Sequence, residues 1–328
     1  MSGLYDFFGR PISYLRISVT DRCNLRCIYC MPADGVSLVR HEDILTYEEI
    51  CAVAQTAAEL GITKIRLTGV EPLVRLGLPQ LIRMLSKIDA INDISLPTNG
   101  TLLSRYAVEL KSSGLKRVNV SLDTLRHDRF KFITRLGDNL DGVLEGVEIA
   151  KTAGLSPVKI NMVVMAGIND DEVAEFAAKT IEDGWHVRFI ELMPVNHGNV
   201  SSRHFVPASE IKKRVETLGK LVPCPSIVGN GPSRYFRFPD ATGTVGFITP
   251  ITEHFCFQCN RLRLTADGKL LPCLLSQEEI DVKRAFRQDM STEELRELFK
   301  EAIARKPLHH NLTQGYLLLD RPFCRAGG

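Results

Sequence analysis

The sequence lacks three features that would each assign a broad class of protein at once. No uninterrupted apolar run approaches the ~20 residues that a membrane-spanning helix requires. Neither sign of charge is in excess, because 41 Lys and Arg stand against 39 Asp and Glu, so no broad polyanion-binding surface is predicted. The N-terminal MSGLYDFFGR has no basic stretch followed by an apolar core, unlike a signal peptide. We therefore expect a cytoplasmic protein that binds neither membranes nor nucleic acid.

Cysteine, in contrast, is well represented, with nine residues in 328. Six form two tight groups, a first cysteine group of Cys23, Cys27 and Cys30 and a second cysteine group of Cys256, Cys259 and Cys273. The other three are isolated in the sequence: Cys51, Cys224 and Cys324. Cytosolic thiols are kept reduced, and disulfide bonds would favour pairs rather than threes. The pattern therefore predicts two metal sites.

Short β-rich runs alternate with helix-length amphipathic segments from residue 13 to about 195. Each run is rich in Val, Ile and Leu, as expected of strands covered on both faces. Such alternation predicts an α/β fold with a parallel sheet and right-handed crossovers. Six units are too few for a standard eight-unit barrel but form a partial (βα)6 TIM-like barrel. The runs are YLRISV (14–19), KIRLTG (64–69), DISLPT (93–98), RVNVSL (117–122), VKINMVVM (158–165) and VRFIELM (187–193).

Helix boundaries are marked by capping signals. Thr46 with Glu49 fits a capping box, and Asn169 with Glu172 resembles one. After residue 194 the alternation gives way to loops, a hairpin-like stretch with the second cysteine group, and a capped helix within 291–306. We therefore predict two domains, a partial barrel over 1–195 and a C-terminal domain over 196–328.

The first cysteine group has the spacing C-x3-C-x2-C and directly follows the first predicted strand. Barrel folds build their active sites at that end of a strand. A structural zinc site needs a fourth ligand, and the nearest histidine, His41, is eleven residues away. Three thiolates on a four-iron cluster instead leave one iron free for chemistry. The spacing, with Tyr29 just before the third cysteine, resembles the signature of radical S-adenosylmethionine (SAM) enzymes.

The second cysteine group has the spacing C-x2-C-x13-C. Taken alone it fits a zinc knuckle with His254 as fourth ligand as well as it fits an iron–sulfur cluster. Arg261 and Arg263 follow in the segment NRLRL, on one side of a strand-like stretch. Two guanidinium groups beside a metal centre suit phosphate recognition by bidentate hydrogen bonds.

Taken together, these motifs are similar to one branch of the radical SAM superfamily, the lyases that cyclise GTP at the start of molybdenum-cofactor biosynthesis. The similarity runs from FGRPISYLRISVTDRCNLRCIYCMP to the terminal Gly-Gly. It implies two [4Fe-4S] clusters, with SAM as the source of a 5′-deoxyadenosyl radical. That radical removes hydrogen from C3′ of the GTP ribose, and C3′ then attacks guanine C8. The expected product is 3′,8-cyclo-7,8-dihydro-GTP.

The resemblance also implies roles for individual residues. The first cysteine group would hold the SAM cluster, and the second cysteine group a cluster that binds guanine. Lys159, Arg261 and Arg263 are the predicted catalytic residues and also GTP contacts, and Gly327-Gly328 resembles a tail that reaches the active site. The other expected contacts are Tyr29, Val70, Ser121 and Met193 for SAM, and Arg16 and Arg66 for GTP.

Partners follow from the same resemblance. It implies an electron donor such as flavodoxin or ferredoxin, a homodimer, and transfer of the product to the next cyclase of the pathway. These expectations rest on the likeness of the motifs alone.

Several positions depart from the family pattern, and two of them lie at the expected SAM and GTP sites. The family's Gly-Gly-Glu-Pro motif, expected to wrap the SAM amino group, reads Gly-Val-Glu-Pro here, with Val70 at the second glycine. If that position requires positive φ, a β-branched side chain is costly, and it also crowds the cofactor. Either a local shift accommodates Val70, or activity is impaired. Pro97 replaces a usual threonine and removes both a hydroxyl group and a backbone N–H.

Two other readings remain open at this point. One is a different radical SAM enzyme with an auxiliary cluster, such as a peptide maturase. The other is a zinc-stabilised binding protein with no enzymatic activity, in which both cysteine groups are structural.

Overall fold

Strands and helices alternate through the first part of the chain, as predicted. The structure is a computed structural model that describes residues 3–193, 202–225, 231–287, 291–310 and 322–326. The first six strands are β1 (Tyr14–Ser18), β2 (Lys64–Thr68), β3 (Asp93–Thr98), β4 (Arg117–Ser121), β5 (Lys159–Val164) and β6 (His186–Glu191). The helices among them are α1 (Tyr47–Glu59), α2 (Leu78–Leu85), α3 (Leu103–Ser112), α4 (His127–Thr134), α5 (Leu140–Thr152) and α6 (Val173–Glu182).

The C-terminal part continues the same sheet at both of its edges. Its strands are β7 (Val222–Pro223), β8 (Arg234–Arg237), β9 (Thr244–Ile248), β10 (Arg261–Leu264), β11 (Lys269–Leu271) and β12 (Ile280–Asp281). The strand order is β12-β11-β10-β1-β2-β3-β4-β5-β6-β9-β8-β7. Its helices are α7 (Ala208–Glu216), α8 (Lys283–Arg287) and α9 (Thr292–Ala304).

The sheet is parallel through its centre, as the alternation of strands and helices requires. Neighbours from β1 to β6 pair in parallel, and β10 and β9 add parallel strands beside β1 and β6. The outermost strands pair antiparallel. The predicted α/β architecture is therefore confirmed.

The two faces of this sheet differ in chemistry although both are buried. One face carries aliphatic side chains such as Leu15, Ile65 and Val118, which form one core cluster with the helices. The strand alternation places polar side chains on the other face. This polar face is formed by Arg263, Arg16, Arg66, Ser95, Asn119, Lys159 and Arg188, in strand order, and each is at most 9% exposed. The prediction that both faces of these strands are apolar is therefore wrong for one face, which is polar.

The helix starts were predicted correctly in two cases out of three. Thr46 and Glu49 form the capping box of α1, and Ser291 with Glu294 caps α9 in the same way. The Asn169 prediction was wrong, because that side chain makes no cap bond. Its Oδ1 accepts from Met165 N and its Nδ2 donates to the carbonyls of residues 123 and 163. It therefore ties together the segments that follow β4 and β5.

Candidate active site

The first cysteine group lies in the cysteine loop (residues 19–31), which leaves the end of β1. The end of α4 holds this loop: Arg26 N donates to Thr134 O and Ile28 N to Ile133 O, each at 2.9 Å. Arg135 adds hydrogen bonds from Nη1 to the carbonyls of Arg26 and residue 31, both at 3.0 Å. Its φ of 62° makes it the one non-glycine residue in the left-handed region in the described part of the chain.

The three residues of the first cysteine group are half-buried and close to one another. Burial raises the pKa of Cys23 to about 11 and raises that of Cys27 further. A hydrogen bond to Cys324 and burial raise the pKa of Cys30. Bound iron would compensate such thiolates by its positive charge. Across the described residues, no three His, Cys, Asp or Glu side chains suit a single metal ion; a four-iron cluster is instead held by thiolates on separate irons.

The expected SAM loop follows β2 and has its backbone constraint at Gly69. Gly69 has a φ of +135°, and a Cβ there would lie 2.6 Å from Thr20 O. Val70 is outside the left-handed region, so the strain expected at Val70 is wrong. Glu71 accepts from Leu73 N, from the Thr98 hydroxyl and from Asn99 N. Burial raises the pKa of Glu71 to about 7.

Pro97 lies on β3 opposite Asn119 of β4. The ladder between β2 and β3 ends at the pair Arg66–Ser95, two residues earlier. The missing backbone N–H of Pro97 therefore leaves no gap in the ladder between β2 and β3.

The other predicted SAM contacts lie at the ends of the central strands. Tyr29 donates to Asp123 Oδ2 at 2.8 Å, and Asp123 Oδ1 accepts from Val163 N at 2.8 Å. Ser121 is the last residue of β4, and Met193 follows β6 by two residues. Burial raises the pKa of Asp123 to about 6. Asp123, which the sequence analysis missed, thus joins the cysteine loop to the ends of β4 and β5.

The predicted GTP contacts form a row across the polar face. Strand register places Arg16 beside Arg263 of β10 on one side and beside Arg66 of β2 on the other. Arg66 Nε donates to Ser95 Oγ at 3.3 Å. Burial, and then the neighbouring Arg263 and Arg66, lower the pKa of Arg16, and burial lowers that of Arg263 to about 10. Like charges held together at low exposure favour the binding of an anion.

Lys159 and Arg188 extend this row on β5 and β6. Burial, then Arg188 and Arg117, lower the pKa of Lys159 to about 6. Burial lowers the pKa of Arg188 to about 10, and its Nε donates to Asn161 Oδ1 at 2.8 Å. Sequence reasoning missed Arg188, although a lone arginine in the apolar run VRFIELM was a usable signal. Arg117, on β4, forms a bidentate ion pair with Asp93 at 2.5 Å.

Asn119 was also missed. It is 1% exposed on β4, and neither its amide oxygen nor its amide nitrogen has a hydrogen-bond partner within the described residues. Unsatisfied buried amides are costly unless something else binds them.

The second cysteine group lies at the opposite end of the polar face. Cys259 lies two residues before β10, and Cys273 lies two residues after β11, which runs antiparallel to β10. Because β1 and β10 are parallel, the two cysteine groups are separated by the length of β1, about 17 Å for five residues. Arg16 and Arg263 lie between them.

Basic groups surround the second cysteine group. Lys306 Nζ contacts Cys259 Sγ at 3.5 Å and donates to the carbonyls of Arg261 and residue 272. Burial alone would raise the pKa of Cys259, but Arg261 and Lys306 lower it to about 7. His254 is exposed, with its ring centroid 5.8 Å from that of His310.

Residues 322–326, near the C-terminus, lie close to the first cysteine group and to the polar face. Cys324, isolated in the sequence, is buried, and its interaction with Cys30 lowers its pKa. Ala326 O accepts from Arg263 Nη1 at 3.2 Å. The predicted role of Gly327-Gly328 falls outside the described residues.

Comparison with known proteins first gives the class. The Radical SAM superfamily model matches residues 17–179, and a model named Molybdenum Cofactor Synthesis C matches residues 185–312. A Streptococcus suis protein, SuiB bound to S-adenosylmethionine, superposes with a TM-score of 0.59 at 14% identity, over 87% of this chain and 66% of its own. Native anSMEcpe with bound AdoMet gives 0.54 at 17% identity, over 87% and 80%. The fold is that of a radical SAM enzyme, a partial TIM barrel.

Sequence relatives then give the particular family. The GTP 3′,8-cyclase of Moorella thermoacetica is 51% identical over 95% of this chain and 97% of its own length. That of Pelotomaculum thermopropionicum is 53% identical over the same shares. The chain belongs to the GTP 3′,8-cyclase family. No helix in the described ranges is both long and apolar enough to span a membrane.

Proposed function

We propose that this chain converts GTP to 3′,8-cyclo-7,8-dihydro-GTP, with the nucleotide bound along the polar face between the two cysteine groups. The observation that carries the proposal is the row Arg263–Arg16–Arg66, three buried guanidinium groups in register on adjacent strands. Such a row favours an anionic ligand, because each desolvated charge is costly and repels the next. A triphosphate supplies that charge and accepts bidentate hydrogen bonds.

The first cysteine group and the residues around it would hold the SAM cluster. When bound, that cluster supplies the electron that releases a 5′-deoxyadenosyl radical from SAM, which then takes hydrogen from ribose C3′. Tyr29, Ser121 and Met193 lie at the end of the sheet where the cysteine loop lies, and Val70 borders the same loop. Tyr29 is held through Asp123. We infer that these residues position SAM rather than alter its chemistry.

We assign a second four-iron cluster to Cys256, Cys259 and Cys273. Lys306 and Arg261 favour the thiolate of Cys259 in any metal-bound form. A zinc site with His254 would need that exposed side chain as a fourth ligand. Arg261 and Arg263 start on this side of the polar face and would orient the base and phosphates, with Lys159 opposite on β5.

The remaining proposals rest on family resemblance. They are a cytoplasmic homodimer, reduction by a flavodoxin or ferredoxin, transfer of product to the next cyclase, and a division into parts at 1–195 and 196–328.

The test is anaerobic incubation of cluster-reconstituted protein with SAM, dithionite and GTP. We expect 5′-deoxyadenosine to form only when GTP is present, together with a cyclised GTP product. ATP and a peptide substrate serve as controls. Formation of 5′-deoxyadenosine with a peptide and not with GTP would instead favour a maturase.

A further inference from the structure

The aromatic ring of Tyr235 lies against Lys159 at one side of the polar face. Tyr235 belongs to β8, and its ring centroid is 5.6 Å from Lys159 Nζ. Tyr235 is 7% exposed and Lys159 3% exposed, so the contact is shielded from water. An ammonium group at this distance is attracted by the negative face of the ring, and more strongly where water is excluded. The contact therefore favours the charged form of Lys159.

Gly246 leaves room for this contact. Tyr235 pairs with Gly246 of β9, and Gly246 pairs with Arg188 of β6, so the three residues lie side by side on adjacent strands. A Cβ at residue 246 would lie 3.0 Å from both Tyr235 Cε1 and Arg188 Cγ, and it would overlap Ser233 Oγ. A side chain at this position would therefore press on the ring and on the stem of Arg188. Because residue 246 is glycine, Tyr235 can reach across β9 toward β6 and β5.

We propose that Tyr235 is a positioning residue of the nucleotide site, whose ring keeps the Lys159 ammonium group charged and in place for the anionic nucleotide. The inference rests on the proposed function, which assigns Lys159 to GTP. A ring attracts a cation without neutralising it, so the ammonium group remains available to a phosphate, whereas a carboxylate in the same place would compete with the nucleotide. The same arrangement recurs on β1, where the centroid of the Tyr14 ring lies 5.6 Å from Arg66 Cζ.

Most charges around Lys159 are positive and oppose its ammonium form. Burial, then Arg188 and Arg117, lower the pKa of Lys159 to about 6. Besides Tyr235, the charged or titratable groups that face Lys159 are Arg66 on β2, Asp93 on β3, Arg117 on β4, and His186 and Arg188 on β6. Asp93, the one acid in this set, is held by Arg117 in an ion pair. The ring of Tyr235 thus acts against a field of like charges.

The ring contact predicts a specific dependence of GTP binding on pH. Where Lys159 is charged both before and after GTP binds, loss of the ring affects the two states alike and the affinity changes little. Above pH 6 the free protein has a neutral Lys159 that takes up a proton when GTP binds, and without the ring this charging costs more. Tyr235→Leu should therefore bind GTP about fivefold more weakly than the wild type at pH 7.5, and at most about twofold more weakly at pH 5.5. Protonation of the nucleotide itself cancels in this ratio.

The experiment is calorimetric binding of GTP to the anaerobic, cluster-loaded full chain at both pH values. Tyr235→Leu removes the ring, and Tyr235→Phe, which keeps it, should restore the pH dependence of the wild type. Phe236→Leu is the matched control, because residue 236 is next on β8 and its side chain points to the opposite face of the strand. The Phe236 ring centroid lies 5.0 Å from Nζ of another lysine, Lys212. Its loss should leave the ratio of the two affinities unchanged.

Two further proteins keep the test decisive if Tyr235→Leu does not fold. A trifluorinated phenylalanine at position 235 keeps the shape of the ring but withdraws the negative charge from its face. It should show the same selective loss at pH 7.5, relative to Tyr235→Phe. In the Lys159→Arg background, whose guanidinium group stays charged, removal of the ring should cause no loss that depends on pH.

The possible outcomes separate this inference from the proposed function. Equal losses at the two pH values in Tyr235→Leu would show a structural role alone and would overturn the proposal. Unchanged affinity at pH 7.5 with the fluorinated ring would overturn it as well. A wild type that binds no GTP at either pH would overturn the proposed function, and this inference with it.

Discussion

Gly69 carries the backbone constraint of the loop after β2. Its φ of +135° and the 2.6 Å approach of Thr20 O to a Cβ leave no room for a side chain. We predict that Gly69→Ala destabilises the loop by about 1–3 kcal/mol and weakens SAM binding. Urea unfolding and equilibrium SAM binding measure both effects.

Val70 supplies the matched control next in the chain. Val70→Ala shortens a side chain whose backbone is already relaxed, so its stability should be close to that of the wild type. The SAM affinity of Val70→Gly is compared with that of the wild type: tighter binding would show crowding by the valine, without any contribution from φ. A Gly69→Ala protein as stable as Val70→Ala would contradict the assignment of the constraint to residue 69.

Lys159 makes GTP binding depend on pH. In the ligand-free protein its pKa is about 6, because burial, Arg188 and Arg117 disfavour the charged form. A bound triphosphate favours the charged form and raises this pKa. Above pH 6 binding therefore takes up a proton, and affinity should fall as pH rises, by at most about tenfold per pH unit. Calorimetry at pH 7.5 in buffers of different ionisation enthalpy measures the uptake.

The control for this prediction is Lys159→Arg, whose guanidinium keeps its charge throughout this range. It should bind GTP with less proton uptake than the wild type. Equal uptake in the two proteins would place the titrating group elsewhere.

At the scale of elements, α4 and the cysteine loop act as one unit. Arg135 joins them through two hydrogen bonds to loop carbonyls. We predict that Arg135→Ala lowers the free energy of unfolding by about 2 kcal/mol, since it removes charge-assisted bonds and keeps a strained backbone. It should also lower the iron content of the first cluster. Lys131→Ala, at an exposed position of the same helix, should change neither quantity.

The sequence predicts these elements because local signals mark them. The alternation of strands and helices and the capping box at Thr46 each lie within a few residues of the feature that they define. Asn169 and Glu172 have the spacing of a capping box but make hydrogen bonds elsewhere. Glu172 accepts from the Thr124 hydroxyl and from Leu125 N. Their roles depend on how β4 and β5 pack, which spacing alone does not encode.

At the scale of the whole molecule, two cysteine groups lie at opposite ends of one polar face. We predict about eight irons per reconstituted chain, four for each cluster. Cys259→Ala should reduce this to about four and abolish GTP cyclisation while SAM still binds. Cys51→Ala, in α1, should keep the full iron content. Zinc at the second cysteine group of the wild type would contradict the two-cluster assignment.

Sequence motifs identify the cysteines and most of the cations but not their spatial order. Arg16, Arg66 and Arg263 come from three distant segments, and only the β10–β1–β2 register shows that they are neighbours. Arg188 and Cys324 carry no motif. Arg188 reaches the site because β6 pairs with β5, and Cys324 because the C-terminal tail folds back toward the N-terminal part of the chain. Both placements depend on tertiary structure.

The most direct measurement of the central claim uses GTP deuterated at C3′ of the ribose. If the polar face holds the nucleotide between the two iron sites as proposed, the deuterium moves to 5′-deoxyadenosine during anaerobic turnover, and Arg16→Met or Arg263→Met strongly reduces the transfer. Formation of unlabelled 5′-deoxyadenosine at the wild-type rate, with the deuterium retained in the nucleotide, would contradict the account.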